Sequence, residues 1–459
     1  MTLDRGTQSV PLSKHRRPAL HNGLYAVAEY VSQPLGMLLA ASYLLRHLGA
    51  SQFGIWVLAS AAINSGNLLS SGFGDAAVKY GSMYHGRNDA GGVARIVRGM
   101  IAINLALSGL LAVVLWALAP YAVNHIAHID AGLRGACLQS FRIGSLLLVV
   151  RSIDSVFAST LRALERYSPA VRIAIFSRVG SLVAAIALVA HGYGVVKIML
   201  ATLCISTVAA VAQGIAVRVI AGKIVLWPSL HRETLSLIAN FGCFSWLQAV
   251  SAVVFGQADR LVIGIFLGAP AVAIYALCAQ AAQTIHGITG AGFHALFPHL
   301  SSRLETERLA DLRSTIRTAF NTNLVLAALL GVPFILFSRP ILSAWMGQEF
   351  ARQAWPILAV LGVSFSLFAL NVTAYYTLLA LGKVKLVTAI NLAAGAAMVL
   401  LMLLLTPRFG MVGTACARLI SGPITCILYY PLYRMMRSGS VKCVEPTTLA
   451  VLENNSCQL

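Results

Sequence analysis

Of the 459 residues, 34 are Lys or Arg, 15 are Asp or Glu, and 58% belong to the apolar set. The charged content of 11% is under half of the roughly 25% usual in soluble domains. So thin a polar shell excludes both a soluble core and a disordered chain, and the net charge of +19 does not indicate nucleic acid, because the basic residues sit mainly in short connections between apolar blocks, where they orient membrane helices.

A basic N-terminal segment (Arg5, Lys14, Arg16, Arg17) precedes a long apolar block with no small-residue cleavage site, which predicts an uncleaved first helix rather than a signal peptide. Apolar blocks then run at 22–47, 52–72, 98–122, 136–160, 169–190, 194–217, 235–266, 271–298, 319–338, 354–381, 386–406 and 411–433. Each is long enough to cross a bilayer as a helix, and none alternates as a barrel strand would. The connections on the side of the termini hold 23 Lys and Arg and the opposite ones 6, which places both termini in the cytoplasm. The eight cysteines are scattered, without a CxxC pair, and read as reduced packing residues. No phosphate-cradling Gly-rich loop appears and no connection is long enough to house an enzyme, so neither a cofactor nor a metal site is expected.

The two halves of the chain resemble each other. Leu48-Gly49-Ala50, Ile55-Trp56 and Leu58 recur as Leu267-Gly268-Ala269, Ile274-Tyr275 and Leu277 at an offset of 219. Thr160-Leu161 and Ala163-Leu164 recur as Thr377-Leu378 and Ala380-Leu381 at 217, and Gly194 and Val196 as Gly410 and Val412 at 216. Near-constant offsets predict two lobes of six helices, 1–222 and 223–459. Because six is even, they are parallel repeats about an axis along the membrane normal.

The first two helices of each half carry polar stripes at helical spacing. They are Tyr25, Glu29, Ser32, Gln33 and Gly36; Ser60, Asn64, Asn67 and Ser71; Asn240, Phe244, Gln248, Ser251, Phe255 and Asp259; and Gln280, Gln283, Thr284 and Gly287. Taken together they read as the walls of a hydrated central cavity, the bland reading being hydrogen bonding in a packed bundle. Eight charges fall within the spans: Glu29, Asp154 and Asp259 against Arg142, Arg151, Arg178, Arg260 and Arg418, a surplus of +2. Such charges are costly in a membrane and face protein or water. Guanidinium suits phosphate through its planar fork, so the five arginines are candidate anion-binding residues, although pairing with the carboxylates explains them equally well one by one. Arg151 and Asp154 share a face, and Arg178 lies at similar depth. Asp259 and Arg260 point about 100° apart on a helix and need different partners. Arg142 and Arg418, nearer the outer ends, are expected to snorkel. His286 and His294 form no cluster and read as packing residues.

Several short motifs bear a resemblance. Leu48-Gly49 with Phe53-Gly54-Ile55-Trp56, Gly72-Phe73-Gly74 with the basic loop Lys79 to Asp89, Trp246, Asp259-Arg260-Leu261-Val262-Ile263-Gly264 with Leu267-Gly268 and Tyr275, and Gly382-Lys383, Asn391, Pro407, Phe409-Gly410 and Gly413-Thr414-Ala415 stand in the order found in polysaccharide transporters. From about residue 22 to 433 the chain resembles the Wzx-type flippases, the polysaccharide branch of the multidrug/oligosaccharidyl-lipid/polysaccharide exporter superfamily. The resemblance implies an all-α polytopic protein of about twelve transmembrane helices in a V-shaped pair of lobes. It implies movement of an undecaprenyl-pyrophosphate-linked oligosaccharide across a bacterial inner membrane by alternating access, for surface or exopolysaccharide synthesis, coupled to a proton or sodium gradient. Membrane lipids, a polysaccharide polymerase and other assembly proteins are the implied partners.

On this reading the pyrophosphate sits against Arg151, Arg178 and Arg260, with Arg142 and Arg418 as outer members. Tyr25, Gln33, Asn64, Asn67, Gln248, Gln280 and Gln283 line the sugar lumen, and Glu29, Asp154 and Asp259 are ion-coupling candidates. A cation-coupled multidrug exporter would favour an acidic cavity instead, and a non-transporting scaffold for glycan assembly would not need four polar-faced helices.

Overall fold

The computed structural model describes residues 16–71, 74–87, 89–126, 129–164, 166–220, 227–229, 232–293 and 309–438. Within these, the side chains of 16–35, 71, 75–77, 79, 125–126, 232–245, 309–312, 436 and 438 lie outside the description. The described residues form helices and no strand: α1 (Arg16–Ser71), α2 (Gly74–Gly86), α3 (Ala90–Tyr121), α4 (Arg134–Ala163), α5 (Tyr167–Ala190), α6 (Val195–Ile220), α7 (Arg232–Phe266), α8 (Ala269–Phe293), α9 (Leu309–Leu336), α10 (Ser338–Met346), α11 (Gln348–Ala380), α12 (Val384–Arg418), α13 (Ser421–Cys426) and α14 (Tyr429–Ser438). Hydrocarbon offers no partner for a free N–H or C=O, so the spanning segments close their hydrogen bonds within each helix.

Ten of the helical runs among the described residues are long and apolar enough to span a membrane, and two of them belong to stretches of double length, α1 (Arg16–Ser71) with 56 residues and Val384–Met435 with 52. Each is broken by a glycine in the left-handed region, Gly49 at φ 77° and Gly410 at φ 61°. A side chain is disfavoured at such an angle, so glycine marks the corner where one span hands over to the next. With those corners counted, the described residues hold twelve segments fit to cross a membrane, near the spans expected. The basic loop expected between the second and third spans is different: most of it is the helix α2, which packs on α3 and α4 and donates from Ser82 Oγ to Ala163 O at 3.2 Å. Asp89 ends that connection as the N-cap of α3, accepting from the Gly92 N–H at 2.8 Å.

The repeated motifs fold alike. Gly49 and Gly268 both take positive φ, 77° and 79°. The Thr160 and Thr377 hydroxyls bond back to Val156 O at 2.8 Å and Thr373 O at 2.7 Å. Each helix then closes with the same pair of bonds, Leu164 N to Thr160 O and Arg166 N to Leu161 O, matched by Leu381 N to Thr377 O and Lys383 N to Leu378 O. The repeat is therefore in the backbone as well as in the letters.

Helices α1, α3, α4, α5 and α6 pack among themselves, as do α7, α8, α9, α11 and α12, and α1 joins the two sets by lying along α7 and α8. The largest apolar core forms at this junction, from Leu44, Leu48, Phe53 and Leu58 of α1, Val272, Ala273 and Tyr275 of α8, Leu342 and Met346 of α10, and Leu358 and Leu361 of α11. Gly54 meets the Ala269 carbonyl so closely that no Cβ fits there, and a Cβ at Gly264 would displace the Leu58 side chain. Two tryptophans tie the seam: Trp345 of α10 donates to Leu38 O at 2.9 Å, and Trp246 of α7 to Leu69 O at 3.1 Å.

Candidate functional site

Two hydroxyls of the polar stripes turn back on their own helices. Ser251 bonds Leu247 O at 3.2 Å and Thr284 bonds Ala281 O at 2.6 Å. Such back-bonding satisfies a hydroxyl in an apolar setting without tying helices together. The carboxamides behave differently. Asn64 accepts from Arg151 Nη1 at 3.2 Å, across from α1 to α4. Asn67, Gln248 and Gln280 are half-buried and Gln283 is exposed. Tyr25, Glu29 and Gln33 lie on α1 with side chains outside the described residues.

The intramembrane charges divide into two groups. In the first half, Arg151, Asp154 and Arg178 are close enough to act on one another's charge, as their depth and spacing predicted. Asp154 Oδ1 is buried without a hydrogen bond among the described residues. Behind this group, Ser152 donates to Asn104 Oδ1 at 3.2 Å and so fixes α4 against α3.

In the second half, Arg418 and Asp259 form an ion pair at 3.0 Å, with side chains only 5% and 3% exposed. Arg418 also donates to Phe255 O at 2.6 Å and lies 4.4 Å from the Phe365 ring centre. Snorkelling was expected of Arg418, and it does not occur: a carboxylate waits at the same depth, so the guanidinium turns inward. The pair is a structural clamp between α7 and α12. Arg260 points elsewhere, as adjacent positions on a helix require, and its side chain donates to a neutral partner, Gln257 Oε1 at 3.2 Å. Its Nε carries no hydrogen bond among the described residues. Its backbone N–H caps Asp259 Oδ1 at 2.8 Å, which leaves Asp259 bonded on both oxygens. Tyr275 and His286 of α8 lie near these charges, and the His286 ring centre is 4.5 Å from that of Phe368, a contact of the packing kind.

Arg142 stands apart from both groups. Its guanidinium lies 5.2 Å from the Trp116 ring centre, and Trp116 is 44% exposed on α3. The cation–π contact holds it toward the outer face of the helices. The pairing of Arg418 with Asp259 and the contact of Arg142 with Trp116 sort the five arginines: Arg418 is paired, Arg142 lies to one side, Arg151 and Arg178 stand with Asp154 in the first half, and Arg260 stands beside the Asp259–Arg418 pair in the second. Among the described residues each group thus holds two arginines and one carboxylate, and guanidinium suits forked contacts with an oxyanion.

The family profile described as polysaccharide biosynthesis protein matches residues 21–304. A putative O-antigen transporter from Shigella flexneri is 27% identical over 210 residues, which is 45% of this chain and 49% of that protein, so the match spans about half of that relative's length. An uncharacterized membrane protein, EpsK, from Bacillus subtilis (strain 168) is 22% identical over 88% of this chain and 80% of its own. Among solved structures, the lipid II flippase MurJ in an inward closed conformation gives a TM-score of 0.72 at 14% identity, over 89% of this chain and 87% of its own. An inward-facing multidrug resistance MATE family transporter of the MOP superfamily gives 0.69 at 16% identity, over 91% and 99%. At such identities the likeness establishes the fold alone, and that is the all-helical, two-lobe transporter fold that the sequence led us to expect.

Proposed function

Because the chain belongs to the polysaccharide biosynthesis protein family, we propose that this multi-pass membrane protein is a flippase that carries an undecaprenyl-pyrophosphate-linked oligosaccharide across the bacterial inner membrane. It works as a transporter and not as an enzyme. The two lobes, 1–222 and 223–459, rock about the seam of α1 against α7 and α8, and both termini lie in the cytoplasm. The glycan lipid is the substrate, and polymerase and other assembly proteins receive its product.

The observation that carries this reading is that, among the described residues, arginines outnumber carboxylates two to one in both intramembrane groups, Arg151 and Arg178 with Asp154 and Arg260 and Arg418 with Asp259. A pyrophosphate must leave water to enter a membrane cavity, and desolvation of its charge is tolerable only where fixed cations replace the water. A cationic drug would meet the wrong sign, which sets the multidrug exporter aside. Asn64, Asn67, Gln248, Gln280 and Gln283 supply the hydrogen-bonding groups a sugar chain needs. Transport runs on a proton or sodium gradient. Of the described carboxylates Asp154 is the fitting one to sense the ion, since Asp259 is committed to its arginine and one oxygen of Asp154 is unbonded.

The test is polymer export in a host lacking its own copy. Losing a charged hydrogen-bonded contact costs about 1.5–3 kcal/mol, roughly a 10- to 100-fold loss. Arg260→Ala, Arg151→Ala and Arg178→Ala should each cut surface polymer on that scale at unchanged protein level, with Arg→Lys restoring part of it because the charge stays and the fork is lost. Arg142→Ala should export normally. Full polymer from the triple alanine variant would reject the site.

A further inference from the structure

Away from the membrane interior, a cavity of about 390 Å³ opens at the end of the bundle where α2, α4 and α6 stop, lined by His85, Leu164, Arg166 and Ile220. The turn that follows α4 is fixed by Arg166 N bonding Leu161 O at 2.8 Å, and α2 is fixed to it through Ser82 and Ala163 O at 3.2 Å. The walls are therefore set by hydrogen bonds to backbone carbonyls. Neither the His85 nor the Arg166 side chain makes a hydrogen bond or ion pair among the described residues. Two groups able to hold an anion thus face one cavity with no partner among the described residues.

The opposite wall is apolar and runs on into the membrane. Ile220 is 36% exposed, and beside it, one residue and about 100° around α6, runs an exposed apolar stripe of Val219, Ile215, Val211 and Val208 at 77, 59, 57 and 62%. A ligand that fits both parts has a phosphate at one end and hydrocarbon at the other. Basic pockets between helix ends at a membrane surface hold anionic lipid headgroups by this division of labour. We infer that this cavity binds the phosphodiester headgroup of an anionic phospholipid, with His85 and Arg166 on the phosphate and the acyl chains along the ridge of α6. The lipid belongs to the leaflet that the Lys/Arg bias assigns to the cytoplasm, and its site is distinct from the arginines inside the bundle.

The experiment is binding of cardiolipin to the purified full chain in nanodiscs of phosphatidylcholine, followed by titration and by native mass spectrometry. One basic residue at a surface contributes about fivefold in affinity. Arg166→Ala should weaken binding by about that factor, Arg166→Ala with His85→Ala should weaken it further, and inorganic pyrophosphate should neither bind nor displace the lipid at this cavity. Arg437→Ala, an exposed cation of α14 at the same end of the protein, should bind as the wild type does. Equal losses from Arg437→Ala and Arg166→Ala would reduce the site to general surface charge, and binding of pyrophosphate in place of cardiolipin would make it a site for soluble phosphates. Either result overturns the inference, and neither bears on the arginines of the transport cavity.

Discussion

Removal of either partner of the Asp259–Arg418 pair should empty the membrane of folded protein. Both side chains are at most 5% exposed, so Asp259→Ala leaves a buried guanidinium without its counter-ion and Arg418→Ala leaves a buried carboxylate. Breaking a buried pair in this way costs about 3–5 kcal/mol, a large part of the 5–15 kcal/mol that holds a typical protein folded. Replacing both partners with apolar residues of similar size is often neutral, so Asp259→Leu with Arg418→Met should recover inserted protein and its melting temperature. Quantitative blotting of membranes and thermal melting in detergent give the answer. Single variants as abundant and as stable as the wild type would contradict the clamp, and a double variant that folds yet does not transport would return Asp259 to the coupling role expected from its polar stripe.

The second large effect is at Gly54. This residue begins the second span, just past the corner at Gly49, and its Cα faces the Ala269 carbonyl so closely that an added Cβ overlaps backbone. Backbone cannot swing aside as a flexible side chain can, so the strain of overpacking, usually 1–3 kcal/mol, falls on the seam between the two halves. Gly54→Ala should lower the melting temperature and Gly54→Leu should abolish transport, because the second span, within α1, and the start of α8 can no longer close on each other. Gly109→Ala, where nothing lies within 4 Å of the new Cβ, should leave both unchanged and serves as the control. A Gly54→Leu variant that melts and transports like the wild type would show that the seam is not a working contact.

Most of the fold was legible because a bilayer imposes one length scale on every span. The two corners were legible as well, since Gly49 sits in a repeated Leu-Gly-Ala and Gly410 in its own repeat. The helices α2 and α10 were not: they are short, mixed in polarity and lie between spans, where neither hydropathy nor the charge bias has anything to detect. Among the charges, the Arg151, Asp154 and Arg178 group was found from spacing and depth. The Asp259–Arg418 pair was missed although the same depth argument reaches it. Asp259 lies seven residues before the end of α7 at Phe266, and Arg418 lies eight after the corner at Gly410. At about 1.5 Å per residue, both sit roughly 11 Å below one surface. Distance from a span end was taken to mean snorkelling, when an opposite charge at equal depth is the stronger attractor. The Arg142 contact could not be read, because Trp116 meets it from another helix at no sequence spacing that marks the pair.

The most direct measurement is translocation by the purified chain in proteoliposomes carrying a fluorescent undecaprenyl-pyrophosphate oligosaccharide, with a membrane-impermeant quencher outside. A flippase brings label from the inner leaflet to the quencher. With wild-type protein and an imposed ion gradient, the shielded signal should be lost; with Arg260→Ala it should persist, and with Arg142→Ala it should be lost as in the wild type. A wild-type protein that leaves the inner-leaflet label shielded, while moving a cationic dye across the same vesicles, would contradict the account.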